Sequence, residues 1–139
     1  MPRYIFQNTI KMNDKNISLA IDSIPLEGDV TESHYERFIM YFRKAFPDFQ
    51  ELSGATRLLA MKRPDVFVCF NSKNRKKLCN DFGIKPSNMD YKRYWDDIIE
   101  RIFDSEWWKS PKPENKPENK IEIGIWENRS AFLDALYYE

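Results

Sequence analysis

With 139 residues, of which 42% are hydrophobic and 15% aromatic, the chain is long enough to form one domain around a single core. Its four glycines are too few for a turn-rich β-sandwich or a glycine-cradled phosphate site, so the composition favours a helical domain. The sequence has two cysteines, no signal peptide and no long apolar run, and we therefore expect a reduced, soluble, cytoplasmic protein.

The formal net charge is zero, yet positive charge is concentrated between residues 57 and 93. Ten Lys and Arg residues there face three acids, whereas the segments on both sides carry an excess of acids. A charge distribution of this kind indicates the chemistry of a partner and says little about fold. A polyanion is the simplest partner, and the aromatic residues in or beside the segment favour nucleic acid; they are Phe67, Phe70, Tyr91 and Tyr94.

The N-terminal part of the chain gives weak structural signals. Residues 1–16 are polar and show no periodicity, so we expect a weakly ordered leader there and a single helical domain over residues 17–139. The apolar residues that follow the leader fit either a short strand or the end of a helix; they are Ile17, Leu19, Ile21 and Ile24. The pattern leaves that choice open.

Two helices are predicted next along the chain. Thr31 is a capping candidate for the first, which ends at Pro47. The apolar residues of this helix follow helical spacing and comprise Tyr35, Phe38, Ile39, Phe42 and Phe46. Ser53 is expected to cap the second helix, which runs to about Lys62 and ends before Pro64.

A short apolar run at 64–70 interrupts the helices. It is too brief for a helix and has no neighbouring strand signals, so it is predicted to cross the core as extended chain. Asn71 or Ser72 is expected to cap a third helix over 73–82, and Gly83 follows in the position that a left-handed C-cap requires. This third helix carries the densest part of the basic segment.

Two further helices are predicted toward the C-terminus. Asp90 caps the fourth, which extends to about Asp104 and has an inner stripe of Tyr94 or Trp95, Ile98, Ile99, Ile102 and Phe103. A proline-rich polar tract at 110–120, containing a tandem PENK repeat, is expected to form a surface loop before a final helix over about 122–138. The predicted fold is therefore mainly α, a single compact domain of about five helices with the extended segment at 64–70.

The adjacent pair Trp107 and Trp108 permits two interpretations. Tryptophans that close a helix usually complete a core, because they bury a large apolar area. Beside a proline-rich loop they also fit an exposed ledge for stacking or partner binding.

One set of acidic and basic residues matches a catalytic pattern. Asp65 followed by Glu114 and Lys116, or by Glu118 and Lys120, matches metal-dependent nucleases, in which two acids hold a divalent metal and a lysine helps to activate water. That chemistry requires carboxylates held rigidly on adjacent strands, whereas Glu114 and Glu118 lie in a proline-rich tract. A metal-dependent nuclease is therefore the minor alternative to a non-catalytic protein.

The remaining reactive side chains favour structural roles. His34 is the only histidine and lies on a predicted helix, where a solvated or capping role is usual. Cys69 and Cys79 belong to no CxxC motif, so we predict two buried thiols and no zinc site. We predict no catalytic residue, no metal ligand and no cofactor.

Residues 55–75 carry a local resemblance to a known enzyme family. The stretch 55–60, followed by 64–72 and Arg75, resembles the region around the catalytic aspartate of helix-hairpin-helix DNA glycosylases, where an Asp precedes Ser or Thr and an Arg follows. The position of that aspartate is occupied by Asn71, and no glycine-bearing hairpin precedes it. The resemblance therefore implies a similar helical architecture without glycosylase activity.

A second resemblance covers several segments of the chain. The first segment has two leucines, then a proline after four further residues, then Phe-Val; these residues are Leu58, Leu59, Pro64, Phe67 and Val68. The segment resembles helical regions of prokaryotic restriction and phage-defence proteins. Three further segments resemble the same proteins, namely residues 94–102, the tryptophan pair at 107–108 and residues 133–139. This resemblance implies a place in a defence or restriction system and assigns no residue a role.

The predicted functional surface is built on the third helix. Phosphate contacts are expected from its four cations, Lys73, Arg75, Lys76 and Lys77. Asn71, Ser72 and Asn74 supply further donors where free backbone N–H groups favour a phosphate. The field is enlarged by further bases of the segment, namely Lys62, Arg63, Lys85, Lys92 and Arg93.

The sequence therefore predicts a non-catalytic DNA-binding or recognition module of a bacterial or phage defence system. Its expected partner is nucleic acid, duplex DNA first, with a larger defence-complex protein as a second partner and no membrane. The alternative is a protein-interaction module whose basic face meets an acidic partner.

Overall fold

The computed structural model describes residues 14–48 and 52–138. Within these ranges the regular secondary structure is helical and contains no strand, so the predicted mainly α fold is confirmed. Most of the predicted leader, residues 1–13, lies outside the described residues.

The first half of the described chain forms longer helices and the second half forms shorter ones. The first four are α1 (Asp14–Asp22), α2 (Glu32–Ala45), α3 (Leu52–Lys62) and α4 (Arg75–Phe82). They are followed by α5 (Tyr91–Arg93), a π-helical turn (Tyr94–Ile99), α6 (Glu100–Asp104), α7 (Glu106–Lys109), a 3₁₀ turn (Pro117–Asn119), α8 (Lys120–Glu127) and α9 (Phe132–Tyr137). The chain is thus divided into more helical segments than the five that the sequence predicts.

The segment that the sequence left undecided is helix α1. Ile17 and Ala20 are buried with helical spacing, the buried Ile24 lies just past the end of the helix, and α1 packs against α2 and α3. Leu19 and Ile21, which belong to the same apolar set, are only half-buried. The burial of Ala20 completes one buried face of a helix and distinguishes the helix from a strand.

Helix α2 begins as predicted. The hydroxyl oxygen of Thr31 accepts a hydrogen bond from the backbone N–H of His34, and Nδ1 of His34 accepts one from the backbone N–H of Thr31. This reciprocal pair is a capping box in which histidine takes the usual place of Glu or Gln. His34 therefore has the capping role that its position predicted.

The fourth predicted helix is one continuous helical stretch with a wider turn inside it. The Asp90 carboxylate accepts a hydrogen bond from the backbone N–H of Arg93, which confirms the predicted cap. The π-helical turn then places consecutive residues on the same side of the stretch. Tyr94 and Trp95 are consequently both buried, although the sequence offered them as alternatives.

The segment 64–70 passes through the core without a sheet. Residues 66–70 are all buried, and side chains take the place of a ladder in satisfying their backbone groups. The Tyr94 hydroxyl donates to the carbonyl oxygen of Val68 at 2.6 Å, and the Thr56 hydroxyl oxygen accepts from the N–H of Phe70 at 2.9 Å.

The C-terminal third departs from the prediction at two places. The proline-rich tract ends in helix, because Pro117 opens a 3₁₀ turn, where proline is tolerated at the first position, and α8 begins at Lys120. The single helix predicted over 122–138 is broken by a turn at 128–131. In that turn the backbone N–H groups of Ser130 and Ala131 donate to the carbonyl oxygen of Pro64.

Thr56 gives a first testable prediction about the core. Its fully buried hydroxyl donates to the carbonyl oxygen of Leu52 at 2.7 Å and accepts from the N–H of Phe70. Thr56→Val removes the hydroxyl and leaves that N–H unpaired, so we expect the free energy of unfolding to fall by about 1–3 kcal/mol. Urea titration measures the change, with Thr56→Ser, which keeps the hydroxyl, as the control. Equal unfolding midpoints for Thr56→Val and the parent chain would contradict this role.

Candidate nucleic-acid interface

A hydrogen-bonded turn of residues 71–74 sets the start of the basic helix α4. The Asn71 side-chain oxygen accepts from the backbone N–H groups of Lys73 and Asn74 at 2.8 and 3.0 Å. The Asn74 side-chain oxygen accepts in return from the N–H of Asn71 at 3.0 Å. The N-cap of α4 is Asn74, which makes no side-chain cap hydrogen bond, so the predicted cap at Asn71 or Ser72 is wrong. Asn71 instead holds the turn before the helix, and the helix begins two residues later than predicted, at Arg75.

The turn is also fixed to the rest of the fold. Asn74 is fully buried, and its amide donates to the carbonyl oxygen of Cys69 and to the carboxylate of Asp134. The amide of Asn71 donates to the same carboxylate at 3.4 Å. A buried amide cannot reach an external phosphate, so Asn74 positions the turn instead of supplying the donor that the sequence predicted.

Four cations project from this turn and from the first turn of α4. Lys73, Arg75, Lys76 and Lys77 are all exposed. Their side chains form no ion pair with any residue in the described ranges. The first turn of α4 has no acid and the last turn has no base, which is the reverse of what the helix macrodipole favours. The positive charge at this helix end is therefore uncompensated.

Arg63 does not belong to that exposed surface. It is buried, and its guanidinium donates to both carboxylate oxygens of Asp65 at 2.9 Å. It also donates to the carbonyl oxygens of Pro25 and Gly28 at 2.9 and 2.8 Å. These bonds occupy four of its five N–H groups, so Arg63 joins parts of the fold and is removed from the proposed interface.

Lys92 and Arg93 are neutralised by neighbouring acids. The Lys92 ammonium pairs with Glu32 at 2.7 Å and with Asp96 at 3.2 Å, and these hydrogen bonds, the one to Glu32 first, raise its pKa. Arg93 pairs with Asp97 at 3.0 Å. Its guanidinium also donates to the carbonyl oxygens of residues 85 and 87. Neither residue offers free positive charge to a partner.

The remaining predicted site residues stay available. Ser72 and Lys85 are exposed and Lys62 is half-buried, and none of the three side chains forms an ion pair within the described part of the chain. The free positive surface is therefore narrower than the sequence predicted. Among the predicted site residues it consists of the cations at the start of α4, with Lys62 and Lys85 as outlying charges.

A groove of about 220 Å³ lies beside these cations. The beginnings of α3 and α4 both reach it, through Ser53 and through Ser72 and Arg75. The Ser53 and Ser72 hydroxyls can donate hydrogen bonds and Arg75 carries a full positive charge. The groove thus combines neutral donors with a cation, a combination suited to a phosphate oxygen.

Two of the three acids of the nuclease pattern pair with neighbouring cations. Asp65 pairs with Arg63, and Glu114 pairs with Lys116 at 2.7 Å. Across residues 14–48 and 52–138, no three His, Cys, Asp or Glu side chains are grouped so that they could hold a metal ion. Cys69 and Cys79 are free and buried as predicted, and burial raises the pKa of the Cys79 thiol.

The two tryptophans of the pair differ in burial. Trp108 packs on Phe103, with ring centroids 4.7 Å apart, and its indole N–H donates to the carbonyl oxygen of Asp65. Trp107 is 42% exposed and lines an apolar groove. The sequence did not reveal that groove, although the tryptophan pair beside a proline tract pointed to the right region.

The stacking of Arg129 on two tryptophans was also not predicted from the sequence. The Arg129 guanidinium lies between the rings of Trp126 and Trp108, at 4.3 and 4.6 Å from their centroids. Burial lowers the pKa of this guanidinium. Only the i, i+3 spacing of Trp126 and Arg129 is visible in the sequence, because Trp108 comes from a distant segment.

Comparison with protein-family models, with curated proteins and with solved structures finds no match for this chain. In the part of the chain that the structure describes, every helix is too short or too polar to cross a membrane.

Proposed function

We propose that this chain is a non-catalytic DNA-binding or recognition module that contacts phosphates through the start of α4. The observation that carries the proposal is the cluster of four exposed cations without ion pairs, Lys73, Arg75, Lys76 and Lys77. The setting in a bacterial or phage defence system rests on the sequence resemblance of residues 58–68, 94–102, 107–108 and 133–139. Duplex DNA is the proposed partner.

The electrostatics of α4 support an anionic partner. Cations at a helix N-terminus are repelled by the positive end of the macrodipole, at a cost of about 0.3–1 kcal/mol each near a surface. Neighbouring like charges add to that repulsion. A phosphate at this end reverses both effects, because it pairs with the cations and accepts from free backbone N–H groups.

The geometry favours contact with the backbone of a nucleic acid. The exposed donors of the surface are flexible ammonium groups and one guanidinium, and the aromatic rings nearby are buried, as Phe67, Phe70 and Tyr94 show. Buried rings cannot stack on bases. Phosphate contacts fix the position of a protein on a duplex and carry little sequence information.

The central test reverses two charges of the cluster. We expect Lys76→Glu together with Lys77→Glu to weaken binding to all duplexes by about the same factor, tenfold or more, because two phosphate contacts are lost. The slope of log affinity against log salt should become shallower by about two, since each contact releases close to one counterion. Fluorescence anisotropy with labelled duplexes of unrelated sequence measures both quantities.

The matched control is Lys109→Glu together with Lys120→Glu. Both lysines are exposed, lie outside the basic segment and form no ion pair within the described ranges. This variant has the same net charge as the test variant. Because both changes lie outside the basic segment, it should bind DNA nearly as tightly as the parent chain. Equal losses in the two variants would reduce the effect to overall charge, and an unchanged affinity in the folded test variant would exclude α4.

A protein-interaction module with an acidic partner is the second candidate. It is favoured by the small size of the free positive surface, because Arg63, Lys92 and Arg93 are engaged inside the fold. Competition by duplex DNA and the salt slope separate the two candidates. Counterion release gives DNA binding a steep slope with salt that a mixed protein interface need not show.

A further inference from the structure

The exposed apolar groove lies away from the first turn of α4 and has a volume of about 620 Å³. Its walls come from α7, the proline segment at 111–113, α8, α9 and the last turn of α4. That volume falls within the range of binding pockets, about 300–1,000 Å³.

Large apolar side chains meet in this groove and remain open to solvent. Trp107 and Ile125 are each 42% exposed, Phe132 is 39% exposed and Leu136 is 59% exposed. Scattered apolar residues on a surface are normal, but these four line one continuous groove. Contiguous exposed apolar surface of this kind marks an interaction site.

Hydrogen bonds and stacking hold the walls in place. The Trp126 indole N–H donates to the carbonyl oxygen of Ser110 at 2.8 Å, and Arg129 stacks on the same indole. The Tyr137 hydroxyl donates to the carboxylate of Asp81, which joins α9 to α4; burial and this bond raise the pKa of Tyr137 to about 12. A groove that is formed before binding loses little conformational entropy on binding.

Acids outnumber bases among the residues that line the groove. Asp81 and Glu122 lie on different walls, and neither forms an ion pair within the described ranges. Arg129 is the only base among the lining residues, and its guanidinium is engaged by two indole rings and the carbonyl oxygen of Trp126. An occupant with positive charges beside an apolar face therefore complements the groove.

The same features disfavour a second copy of the chain. A twofold pair of grooves would bring acidic rims together and leave space between two concave surfaces. A convex partner fills the space, and an amphipathic helix supplies both the convex apolar face and the flanking charges.

We propose that this groove binds an amphipathic helix of another protein, with lysine or arginine residues beside the apolar face of that helix. The site is distinct from the cations at the start of α4 and does not depend on the proposed DNA binding. Leu136 and Phe132 would contact the apolar anchors of the helix, and Asp81 and Glu122 would pair with its cations.

The test uses two labelled model peptides of about 18 residues, both with leucine at positions i, i+3, i+4 and i+7 of a helix. One peptide has lysine at its polar positions and the other has glutamate. In fluorescence anisotropy with the full chain we expect the lysine peptide to bind at least tenfold more tightly than the glutamate peptide. Equal binding of both peptides, or of neither, would overturn the proposal.

Variants then locate the site. Leu136→Ser and Glu122→Lys should each weaken the lysine peptide at least fivefold, because they remove an apolar contact and reverse a rim charge. The matched control is Leu26→Ser, which changes an equally large leucine, 74% exposed, outside the groove. Far-UV circular dichroism and thermal melting check that each variant is folded.

The variant results can also overturn the proposal. If Leu136→Ser binds the lysine peptide as tightly as the parent chain, the groove is not the site. If Leu26→Ser weakens binding equally, the peptide associates non-specifically. A concentration-dependent dimer in analytical ultracentrifugation that Leu136→Ser abolishes would assign the groove to a second copy of this chain.

Discussion

Replacing Trp95 with alanine should lower the free energy of unfolding by about 3–5 kcal/mol, which is typical of truncating a large buried aromatic side chain. The side chain is 1% exposed and stacks on Tyr35, with ring centroids 5.2 Å apart. Phe103 meets its edge at 5.8 Å and Phe67 lies at 6.4 Å. Removing the indole therefore leaves a cavity bounded by aromatic rings that belong to three different segments.

The matched control for this prediction is Trp107→Ala. Trp107 is 42% exposed, so its truncation should cost much less than that of Trp95. Urea titrations of both variants, followed by far-UV circular dichroism, give the comparison. If Trp95→Ala unfolds cooperatively at the urea concentration of the parent chain, Trp95 is not the centre of the core.

The features that the sequence predicted correctly depend on neighbouring residues. The Thr31 cap of α2, the Asp90 cap and the left-handed Gly83 after α4 each depend on a side chain or backbone within a few residues. Local hydrogen bonds and glycine conformations are encoded in short sequence windows. The beginnings of α2 and α5 and the end of α4 were therefore predictable.

The break in the C-terminal helix depends on distant contacts. Ser130 and Ala131 donate their backbone N–H groups to Pro64, and the Ser130 hydroxyl donates to the carbonyl oxygen of Asp65. These partners are separated by more than sixty residues of sequence. No local pattern contains that information, although the residues at 128–130 include Asn and Ser, which compete with helical hydrogen bonds.

The same distinction applies to the candidate site. The pairs of Lys92 with Asp96 and of Arg93 with Asp97 have i, i+4 spacing on a predicted helix, so their neutralisation was available from the sequence. The burial of Arg63 and Asn74 depends on Pro25, Gly28 and Asp134, which lie far away in the chain. Charge counting cannot distinguish such residues from exposed ones.

The segment 63–65 joins distant parts of the molecule. The Arg63 guanidinium binds the chain between α1 and α2 through the carbonyl oxygens of Pro25 and Gly28. The backbone carbonyl of Asp65 accepts from the Trp108 indole, which belongs to the C-terminal third. The Arg63 side chain is 8% exposed, so these interactions take place largely away from water.

Arg63→Met should therefore lower the free energy of unfolding by about 3–5 kcal/mol, because it leaves the Asp65 carboxylate without its cation and two carbonyl oxygens without donors. Lys62→Met is the matched control, since Lys62 forms no ion pair among the described residues, and it should unfold close to the parent chain. The free energies come from urea titration. The folded Arg63→Met variant should also keep its duplex affinity, because the guanidinium points into the fold. A stable Arg63→Met variant with weakened DNA binding would return Arg63 to the interface and contradict its structural role.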